Sequence, residues 1–509
     1  MPPTNERAVN KWLVTVSVMT GTLMSAINTS SVNVALPYIQ GTIGASTTEI
    51  TWVVASYLLA NVIIMPVVAL LGLRFGRKKF YFACSFLFTV GSIACGFADS
   101  LSTLIIFRIL QGLGGGALVP LAQAIMRETF PPHQHGTAMG IYGLGVVLGP
   151  ALGPSIGGYI TDTYSWHWVF FANVPFGILN MFLVALFIFD PSYFQKRKVH
   201  IDYWGLVLLV VGLGALQIML QKGEEENWFE SALIQRLAIT SFVGITLFII
   251  WELIAKSPAV NLRILKNINL SVGTFIGGIL GVGLYGSLFL LPRLLQQLLG
   301  YPAFNSGVAL IPRAIAMAIA MPLAGLLYNR LKVKLIAFGL ILSIISFFQL
   351  SHLNLSVDYW AIFLPQFLQG LGFGFIFVPL STTAFITIEK PLLTAATGLY
   401  NVVRQVAGSV GTAIAATGIS AGMNHYRAMI VEHVNVYNNI TSDRLTLFQD
   451  VLHQRGSSSF TAEAQAYKLL ERTVNTQSSM LAYNRVFFVI LCLFLVSLFL
   501  LVLFRKQKS

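Results

Sequence analysis

The chain has 509 residues, of which 10% are charged and 56% are hydrophobic, and its formal net charge is +13. Soluble domains carry about 25% charged residues, so this composition indicates a protein whose solvent is lipid. The basic residues lie between apolar runs and are not gathered on one domain or stripe, which argues against a nucleic-acid-binding protein.

Apolar runs of about 20 residues, the length that crosses a bilayer as a helix, recur along the chain. The first run is too long for the apolar part of a signal peptide and has no cleavage pattern of small residues, so we interpret it as a spanning helix. The runs predict an all-α integral membrane protein with fourteen transmembrane helices, numbered 1 to 14, near residues 12–36, 50–71, 80–98, 102–126, 137–160, 168–189, 203–221, 235–254, 269–297, 304–328, 333–352, 359–382, 396–420 and 485–504.

The connections between these helices differ in charge and in length. Clusters of lysine and arginine at 74–79, 196–198 and 505–508 follow even-numbered helices, whereas the short connections on the opposite side hold almost none. Because basic connections stay in the cytoplasm, both termini are predicted to be cytoplasmic. The one long connection, residues 422–483, is polar and falls on the external side, where we expect a folded or partly helical cap.

Two segments of the sequence repeat. Gln111-Gly112-Leu-Gly114 in helix 4 recurs as Gln369-Gly370-Leu-Gly372 in helix 12. The basic turn after helix 2 is echoed by the basic turn after helix 10. The repeat predicts two six-helix bundles, in residues 1–190 and 263–509, with helices 7 and 8 inserted between them in residues 191–262. Transporters built from two such halves place their substrate at the interface, near the middle of the membrane.

Helix 5 carries the most specific local pattern, a row of glycines at every fourth residue that is interrupted by prolines. Such a row lets another helix backbone approach closely, and each proline removes a helical hydrogen bond. Two interpretations carry equal weight: a static packing seam, or a contact that repacks as the halves move. The members of this seam are Gly145, Gly149, Pro150, Gly153, Pro154 and Gly157.

Polar side chains inside the apolar helices are candidates for a substrate or coupling cavity, because an ionisable group in mid-membrane usually faces a cavity or a partner. For Arg108 and Arg404 we favour a functional cavity over a structural tie. Arg293 and Arg313 lie nearer to helix ends, where we favour charged groups that reach the membrane surface. The predicted cavity residues are Asn28, Asn33, Arg108, Gln111, Gln123, Gln369, Asn401 and Arg404.

Enzymatic chemistry finds no support in the sequence. The three cysteines, Cys84, Cys95 and Cys492, lie in apolar runs and are spaced for neither a disulfide framework nor a metal site. The glycines that begin at Gly112 fit a dinucleotide fingerprint, but no strand precedes them. No P-loop pattern occurs, which excludes ATP as the direct energy source.

The motifs resemble the major facilitator superfamily over nearly the whole chain. They include the basic turn that begins at Arg74, the Arg108-x-x-Gln111-Gly112 helix and the glycine–proline seam of helix 5. Three further segments, at 33–37, 166–175 and 401–408, resemble the fourteen-span drug–proton antiporter branch of that superfamily. The external loop, final helix and basic tail are similar to those of inner-membrane subunits of tripartite multidrug pumps.

The resemblance implies export of hydrophobic or amphipathic compounds from a bacterial inner membrane, driven by the proton gradient without a cofactor. It also implies a periplasmic membrane-fusion adaptor, with an outer-membrane channel joined through it. The turn formed by Arg74, Gly76, Arg77 and Lys78 would gate the cytoplasmic side.

Two positions depart from the family pattern. Asn28 stands where the family has an aspartate in helix 1, and Leu73 stands where an aspartate often precedes the first arginine of the turn. An amide cannot titrate, so the usual proton carrier of helix 1 is missing. Two alternatives therefore stay open: a facilitator or importer without standard proton coupling, and a non-transporting membrane receptor or scaffold.

Overall fold

The computed structural model describes residues 10–190, 202–255, 258–435, 437–456 and 458–504, and within them the regular secondary structure is helical. The basic clusters at 196–198 and 505–508, and with them the predicted domain boundary at residue 191, lie outside the described residues. The α-helices are α1 (Lys11–Ile43), α2 (Thr47–Phe75), α3 (Arg77–Gly96), α4 (Leu101–Thr129), α5 (His135–Thr163), α6 (His167–Phe171), α7 (Asn173–Phe187), α8 (Tyr203–Lys222), α9 (Ala232–Ile254), α10 (Ile268–Arg293), α11 (Ala303–Val308), α12 (Ile311–Leu331), α13 (Val333–Leu350), α14 (Tyr359–Ala384), α15 (Leu393–His433), α16 (Asn439–Gln454) and α17 (Ser459–Leu500).

Thirteen helical segments of the described chain are long and apolar enough to cross a membrane. They correspond to predicted helices 2 to 14, with helix 6 divided into α6 and α7. Predicted helix 1 is α1, whose 33 residues exceed the length needed to span. Serine, threonine and asparagine side chains lower its hydropathy, and they lie mostly on its buried side, as Ser25 and Asn28 do.

Helices α1 to α7 pack mainly on one another, and so do α10 to α15 together with α17. Helices that cross one after another along the chain run in opposite directions. Gly145 of α5 lies against Met19 of α1 and Gly157 lies against Ser31, so these two helices are parallel. We call the surface where α1 begins and where Arg74 lies the basic face, and the opposite surface, which carries residues 422–483, the loop face.

The segment at 422–483 is helical almost throughout. Helix α15 continues to His433, well past the predicted end at residue 420, and α17 begins at Ser459 rather than at 485. The predicted ends were wrong because the change from apolar to polar residues marks the limit of the lipid and not the limit of the helix. Arg427 ties the two extensions together, donating to Asn475 at 2.9 Å and pairing with Glu471 at 3.4 Å, and α16 packs on α17.

Helices α8 and α9, the inserted pair, form a hairpin that contacts both groups of helices. They approach each other closely where Gly212 meets Gly244. Leu209 of α8 packs in an apolar cluster with Val67 of α2. On the other side, Gln217 donates to the Ser409 hydroxyl of α15 at 2.7 Å. The hairpin therefore covers one flank of the boundary between the two groups.

Candidate substrate and coupling site

Arg108 lies inside the first group of helices with none of its surface exposed. Its guanidinium donates to Asn28 Oδ1 at 2.8 Å, to Gln111 Oε1 at 2.7 Å and to the Val53 carbonyl at 2.9 Å. The Tyr57 ring lies 4.1 Å from it. The structure thus joins three predicted cavity residues into one cluster, with neutral oxygens instead of a carboxylate as the acceptors.

Gln369 contacts Arg313, an arginine that was not among the predicted cavity residues. Arg313 donates to Gln369 Oε1 at 3.2 Å and to the Ser287 hydroxyl at 2.9 Å. Only 4% of Arg313 is exposed. The interpretation of Arg313 as a side chain that reaches the membrane surface was therefore wrong. The repeated motif could have identified this contact, because Gln111, the counterpart of Gln369 in helix 4, also accepts a hydrogen bond from an arginine.

A second cluster lies where the two groups of helices meet. Asn401 of α15 donates to Gln123 Oε1 of α4 at 2.7 Å, and Thr397 donates to the Pro120 carbonyl at 3.1 Å. One turn further along α15 is Arg404, which is only 7% exposed. Gln123, Asn401 and Arg404 are therefore brought together, apart from the Arg108 cluster.

Arg404 is surrounded by aromatic rings from both groups. Its guanidinium carbon lies 5.2 Å from the Phe377 ring centroid and 6.0 Å from that of Tyr400. Tyr142 of α5 stacks on Phe377 across the boundary, with 6.3 Å between the centroids. The apolar rings and the guanidinium together offer surfaces for both parts of an amphipathic molecule.

Several polar atoms of this cluster are buried without a hydrogen-bond partner among the described residues: Arg404 Nη1, the Tyr400 hydroxyl, Gln123 Nε2 and Asn401 Oδ1. Three of the four can donate. An unpaired buried donor costs about 1–3 kcal/mol, so a ligand that accepts hydrogen bonds would stabilise this arrangement.

Asn33 stands apart from both clusters. Its side chain is exposed, near the end of α1 at the loop face. It has no described contact with Arg108 or Arg404.

The glycine–proline seam packs α5 against α1, within the first group of helices. A β-carbon placed on Gly153 would lie 2.9 Å from the Ile27 carbonyl oxygen, and one on Gly157 would lie 2.6 Å from that of Ser31. Real side chains do not tolerate such distances from backbone. The seam therefore holds two backbones in direct contact, as the four-residue spacing predicted.

A second glycine row on α5 makes the contact across the boundary, and the sequence interpretation missed it. Gly136 faces Gly325 of α12, and Gly140 faces Met321, with carbonyl oxygens 2.5 and 2.8 Å from the β-carbon positions. Five residues separate Gly140 from Gly145, so the two rows lie on different sides of α5. The same four-residue spacing, between Gly136 and Gly140, could have identified this row.

Further direct links between the two groups lie toward the basic face. Arg127 of α4 donates to the Thr382 carbonyl of α14 at 3.2 Å. Asn329 of α12 donates to the His133 carbonyl at 2.8 Å. Gly398 of α15 abuts the Met65 carbonyl of α2. These links and the glycine contact hold the groups together at the basic face.

The turn between α2 and α3 is fixed by two acids. Gly76 has a φ of 92°, a conformation that favours glycine. Arg77 forms a buried ion pair with Glu128 at the end of α4. Lys78 donates its backbone N–H to Asp190 at 2.9 Å and its ammonium group to the Ala185 carbonyl at 2.6 Å. Arg74 is exposed.

These features were compared with known proteins. The family model described as Major Facilitator Superfamily matches residues 18–412. The chain belongs to this superfamily. Its members are transporters and not enzymes, and the resemblance of the motifs to the superfamily is confirmed. The chain is 34% identical over 428 residues to the multidrug export protein EmrB of Escherichia coli K12, covering 84% of this chain and 83% of the relative.

Other relatives agree on family and fold. The fatty acid resistance protein FarB of Neisseria gonorrhoeae is 34% identical over 487 residues, covering 95% of this chain and 94% of FarB. Among solved structures, the human organic anion transporter MFSD10 superposes with a TM-score of 0.60 at 13% identity, covering 96% of this chain and 99% of that one. The proton:xylose symporter XylE superposes with a TM-score of 0.58 at 14% identity, over 95% and 94% of the two chains. The predicted all-helical major facilitator fold is confirmed.

Within this superfamily member, Asn28 has a defined place. Its amide oxygen faces Arg108, while its amide nitrogen is buried without a partner in the described chain. Glu128 near the end of α4, Asp190 beyond the end of α7 and Asp202 just before α8 all lie at the basic face, away from Asn28 in the middle of α1.

Proposed function

We propose that this protein exports hydrophobic or amphipathic compounds, uncharged or anionic, across a bacterial inner membrane. The observation that carries the proposal is the Arg404 cluster at the boundary, where unpaired donors and aromatic rings converge. The similarity to EmrB and FarB, named for multidrug export and fatty acid resistance, supports the same class of transport.

The charge inside the helices supports the exclusion of cations. Arg108, Arg313 and Arg404 are buried, and no described carboxylate pairs with any of them. A positive potential in a poorly screened interior favours anions and disfavours cationic drugs. Of the described acids, Glu252 is buried at the basic-face end of α9, where it accepts from the Val260 N–H, and Glu128 is paired with Arg77 at the same face.

The basic face is cytoplasmic in this proposal, in agreement with the distribution of lysine and arginine. Both termini then lie in the cytoplasm and residues 422–483 extend into the periplasm. Because the described links between the two bundles cluster at the basic face, this conformation is closed toward the cytoplasm. Export would require these links to break and the loop-face side to close in turn.

The energy source in this proposal is the proton gradient, but transport depends only weakly on that gradient. Asn28 favours weak coupling because it cannot exchange a proton. A facilitator that runs the same cycle without protons is the second candidate, and the same residue favours it.

We also propose that a periplasmic membrane-fusion adaptor, and through it an outer-membrane channel, completes the pump. Helices α15 and α17 reach well beyond their apolar segments and carry α16 between them. This is far more structure than a connection between two helices requires.

The central test compares an amphipathic carboxylate with its uncharged methyl ester, in proteoliposomes that contain wild type, Arg404→Gln or Arg404→Lys. We expect Arg404→Gln to raise the KM for the carboxylate about tenfold, because a hydrogen bond to a charged group contributes about 1.5–3 kcal/mol. The ester should change by less than about threefold. Arg404→Lys should recover part of the loss.

Arg293→Gln is the matched control, since Arg293 stacks on Phe289 at the end of α10 and lies outside the cluster. An equal loss for carboxylate and ester in Arg404→Gln would show that Arg404 is a structural tie and would overturn the proposed site.

A further inference from the structure

Glycine contacts show which positions of the two bundles are equivalent. A β-carbon on Gly112 would lie 2.7 Å from Ala60 Cβ, and it would also meet the Tyr57 carbonyl three residues earlier. A β-carbon on Gly370 would lie 2.7 Å from Ala316 Cβ and would meet the Arg313 carbonyl, again three residues earlier. Arg313 on α12 therefore occupies the place of Tyr57 on α2.

The next glycine of each motif gives the same register. The β-carbon position of Gly114 lies 2.6 Å from the Cys84 carbonyl of α3, and that of Gly372 lies 2.7 Å from the Gly339 carbonyl of α13. The two motifs thus hold equivalent helices at equivalent heights.

When equivalent positions of the two bundles are compared, each bundle places a guanidinium group at the same site, but the group comes from a different helix in each. Arg108 extends from α4 over the Tyr57 ring and donates to Gln111. Arg313 extends from the Tyr57 position itself and donates to Gln369, the counterpart of Gln111. The position that corresponds to Arg108 is Gln366, whose side-chain polar atoms are both buried without a partner among the described residues.

The surroundings of Arg313 are uniformly positive or neutral. Its described acceptors are a hydroxyl and an amide oxygen, and no ion pair to it is present in the described chain. It is the third residue of α12, which begins at Ile311 without a side-chain cap. The N-terminus of a helix adds its own positive potential, although Pro312 in the first turn of α12 has no N–H to offer. A buried charge without a counter-charge costs several kcal/mol, and an anion would offset that cost.

We propose that Arg313, with Ser287 and Gln369, forms an anion-binding subsite of the second bundle. It takes a monovalent anion, either a free halide or the carboxylate of a transported amphipath. The subsite lies inside the bundle and is separate from the Arg404 cluster at the boundary. A halide site here is independent of the proposed export function, whereas a site for a transported carboxylate rests on that function.

The test is the thermal unfolding midpoint of the purified full-length protein in detergent. Sodium chloride is titrated against sodium gluconate at constant ionic strength, and sodium octanoate is titrated against octanol. The octanoate arm uses Arg404→Gln protein, with the Arg313 variants added to it, because the Arg404 cluster is itself proposed to bind amphipathic carboxylates. A ligand that binds only the folded state raises the midpoint with its concentration. With Arg313 intact we expect a saturable rise with chloride, with octanoate, or with both.

Arg313→Gln should weaken this binding by at least about tenfold, the loss of one charge-assisted contact. Arg313→Lys, which keeps the charge, should retain it in part and provides a second readout if Arg313→Gln fails to fold. Arg293→Gln serves as the control and should leave the rise intact, because Arg293 stacks on Phe289 and lies outside both clusters.

A response to chloride identifies a halide site, and a response to octanoate alone identifies a subsite for the substrate carboxylate. The proposal is overturned if protein with Arg313 intact shows no saturable rise with either anion. It is equally overturned if the rise survives in Arg313→Gln, or if Arg293→Gln removes it to the same extent.

Discussion

At the scale of single residues, Asn28 and Arg108 form a buried pair in which the accepting side chain cannot titrate. The Asn28 oxygen lies 2.8 Å from Arg108 Nη1. An aspartate in the same rotamer would set a carboxylate against that guanidinium, forming a buried ion pair that protonation could break. With asparagine the contact is a neutral acceptor to a permanent cation, and it has the same strength at every pH.

We predict that Asn28→Asp strengthens the dependence of transport on an imposed pH gradient. The added carboxylate can gain and lose a proton next to Arg108, and it lowers the positive potential that excludes cations. Transport of a neutral amphipath should gain severalfold in response to the gradient, and cationic compounds should become better substrates. The measurement is efflux from proteoliposomes with and without a pH difference, with Asn28→Ser as a control of similar polarity.

Strong proton coupling in the wild type, unaltered in Asn28→Asp, would contradict this prediction. Another acid would then carry the proton, and Glu128 or Asp202 would be the first to replace.

The sequence predicted which residues matter better than it predicted their partners. A polar side chain inside an apolar run costs free energy wherever it points, so Arg108, Gln111 and Asn401 could be recognised from type and position alone. Their grouping depends on which helices are neighbours. The interpretation of Arg313 as a group at the membrane surface was wrong because it used closeness to a helix end as a measure of depth in the membrane. That measure is valid only if the helix ends at the membrane surface.

At the scale of helices, α5 joins two packing surfaces in one element. Near the basic face it contacts α12 through Gly136 and Gly140, and farther along it contacts α1 through the seam. Pro150 and Pro154 lie inside the second part of the helix, which continues through them to Thr163. A movement of one bundle against the other must change the contact between α5 and α12. The contact between α5 and α1 determines how rigidly these two helices move together.

We predict that Gly149→Leu reduces efflux at least about tenfold while the protein still inserts into the membrane. A β-carbon at Gly149 would meet the α1 backbone, with Ile27 N at 3.0 Å, so a leucine must push the helices apart. Gly158→Leu on the same helix is the control, because its β-carbon position lies 3.6 Å from Val34 Cγ1, an ordinary contact. The readouts are efflux and the elution profile of the fluorescently tagged protein.

If the well-expressed Gly149→Leu protein transported normally, the seam would be dispensable for the cycle. Loss of folding in Gly149→Leu alone would favour the static interpretation of the seam.

Apolar length predicted the number and order of the helices, because the bilayer sets a minimum that short runs cannot meet. It could not predict where α15 ends or where α17 begins. Beyond the lipid both helices continue on polar residues that form helix well and are held by contacts such as that of Arg427 with Asn475. Hydropathy contains no information on such contacts.

At the scale of the whole molecule, α15, α16 and α17 form a helical structure beyond the loop face. We predict that deletion of residues 434–458, with a short glycine–serine linker between α15 and α17, leaves insertion intact but abolishes co-purification of the adaptor. Resistance of cells to exported compounds should fall with it. The Arg427 contacts lie outside the deleted segment, so the two long helices retain their mutual packing.

The control replaces the same residues with an unrelated helical hairpin of equal length, to separate loss of a surface from loss of a spacer. If both co-purification and resistance persist after the deletion, the tripartite assembly is wrong for this protein.

The hairpin of α8 and α9 makes the two sides of the molecule unequal. It is attached to α2 through Leu209 and Val67 and to α15 through Gln217 and Ser409, and Trp228 near its tip donates to Thr417 at 2.7 Å. Separation of α2 from α15 would have to stretch or break these attachments, whereas separation of α5 from α12 must release the glycine contact and the hydrogen bond from Asn329 to His133, with no hairpin across them. Lateral access from the bilayer is therefore one-sided: we expect lipid-dissolved molecules to enter between α5 and α12, with the hairpin as a wall behind them.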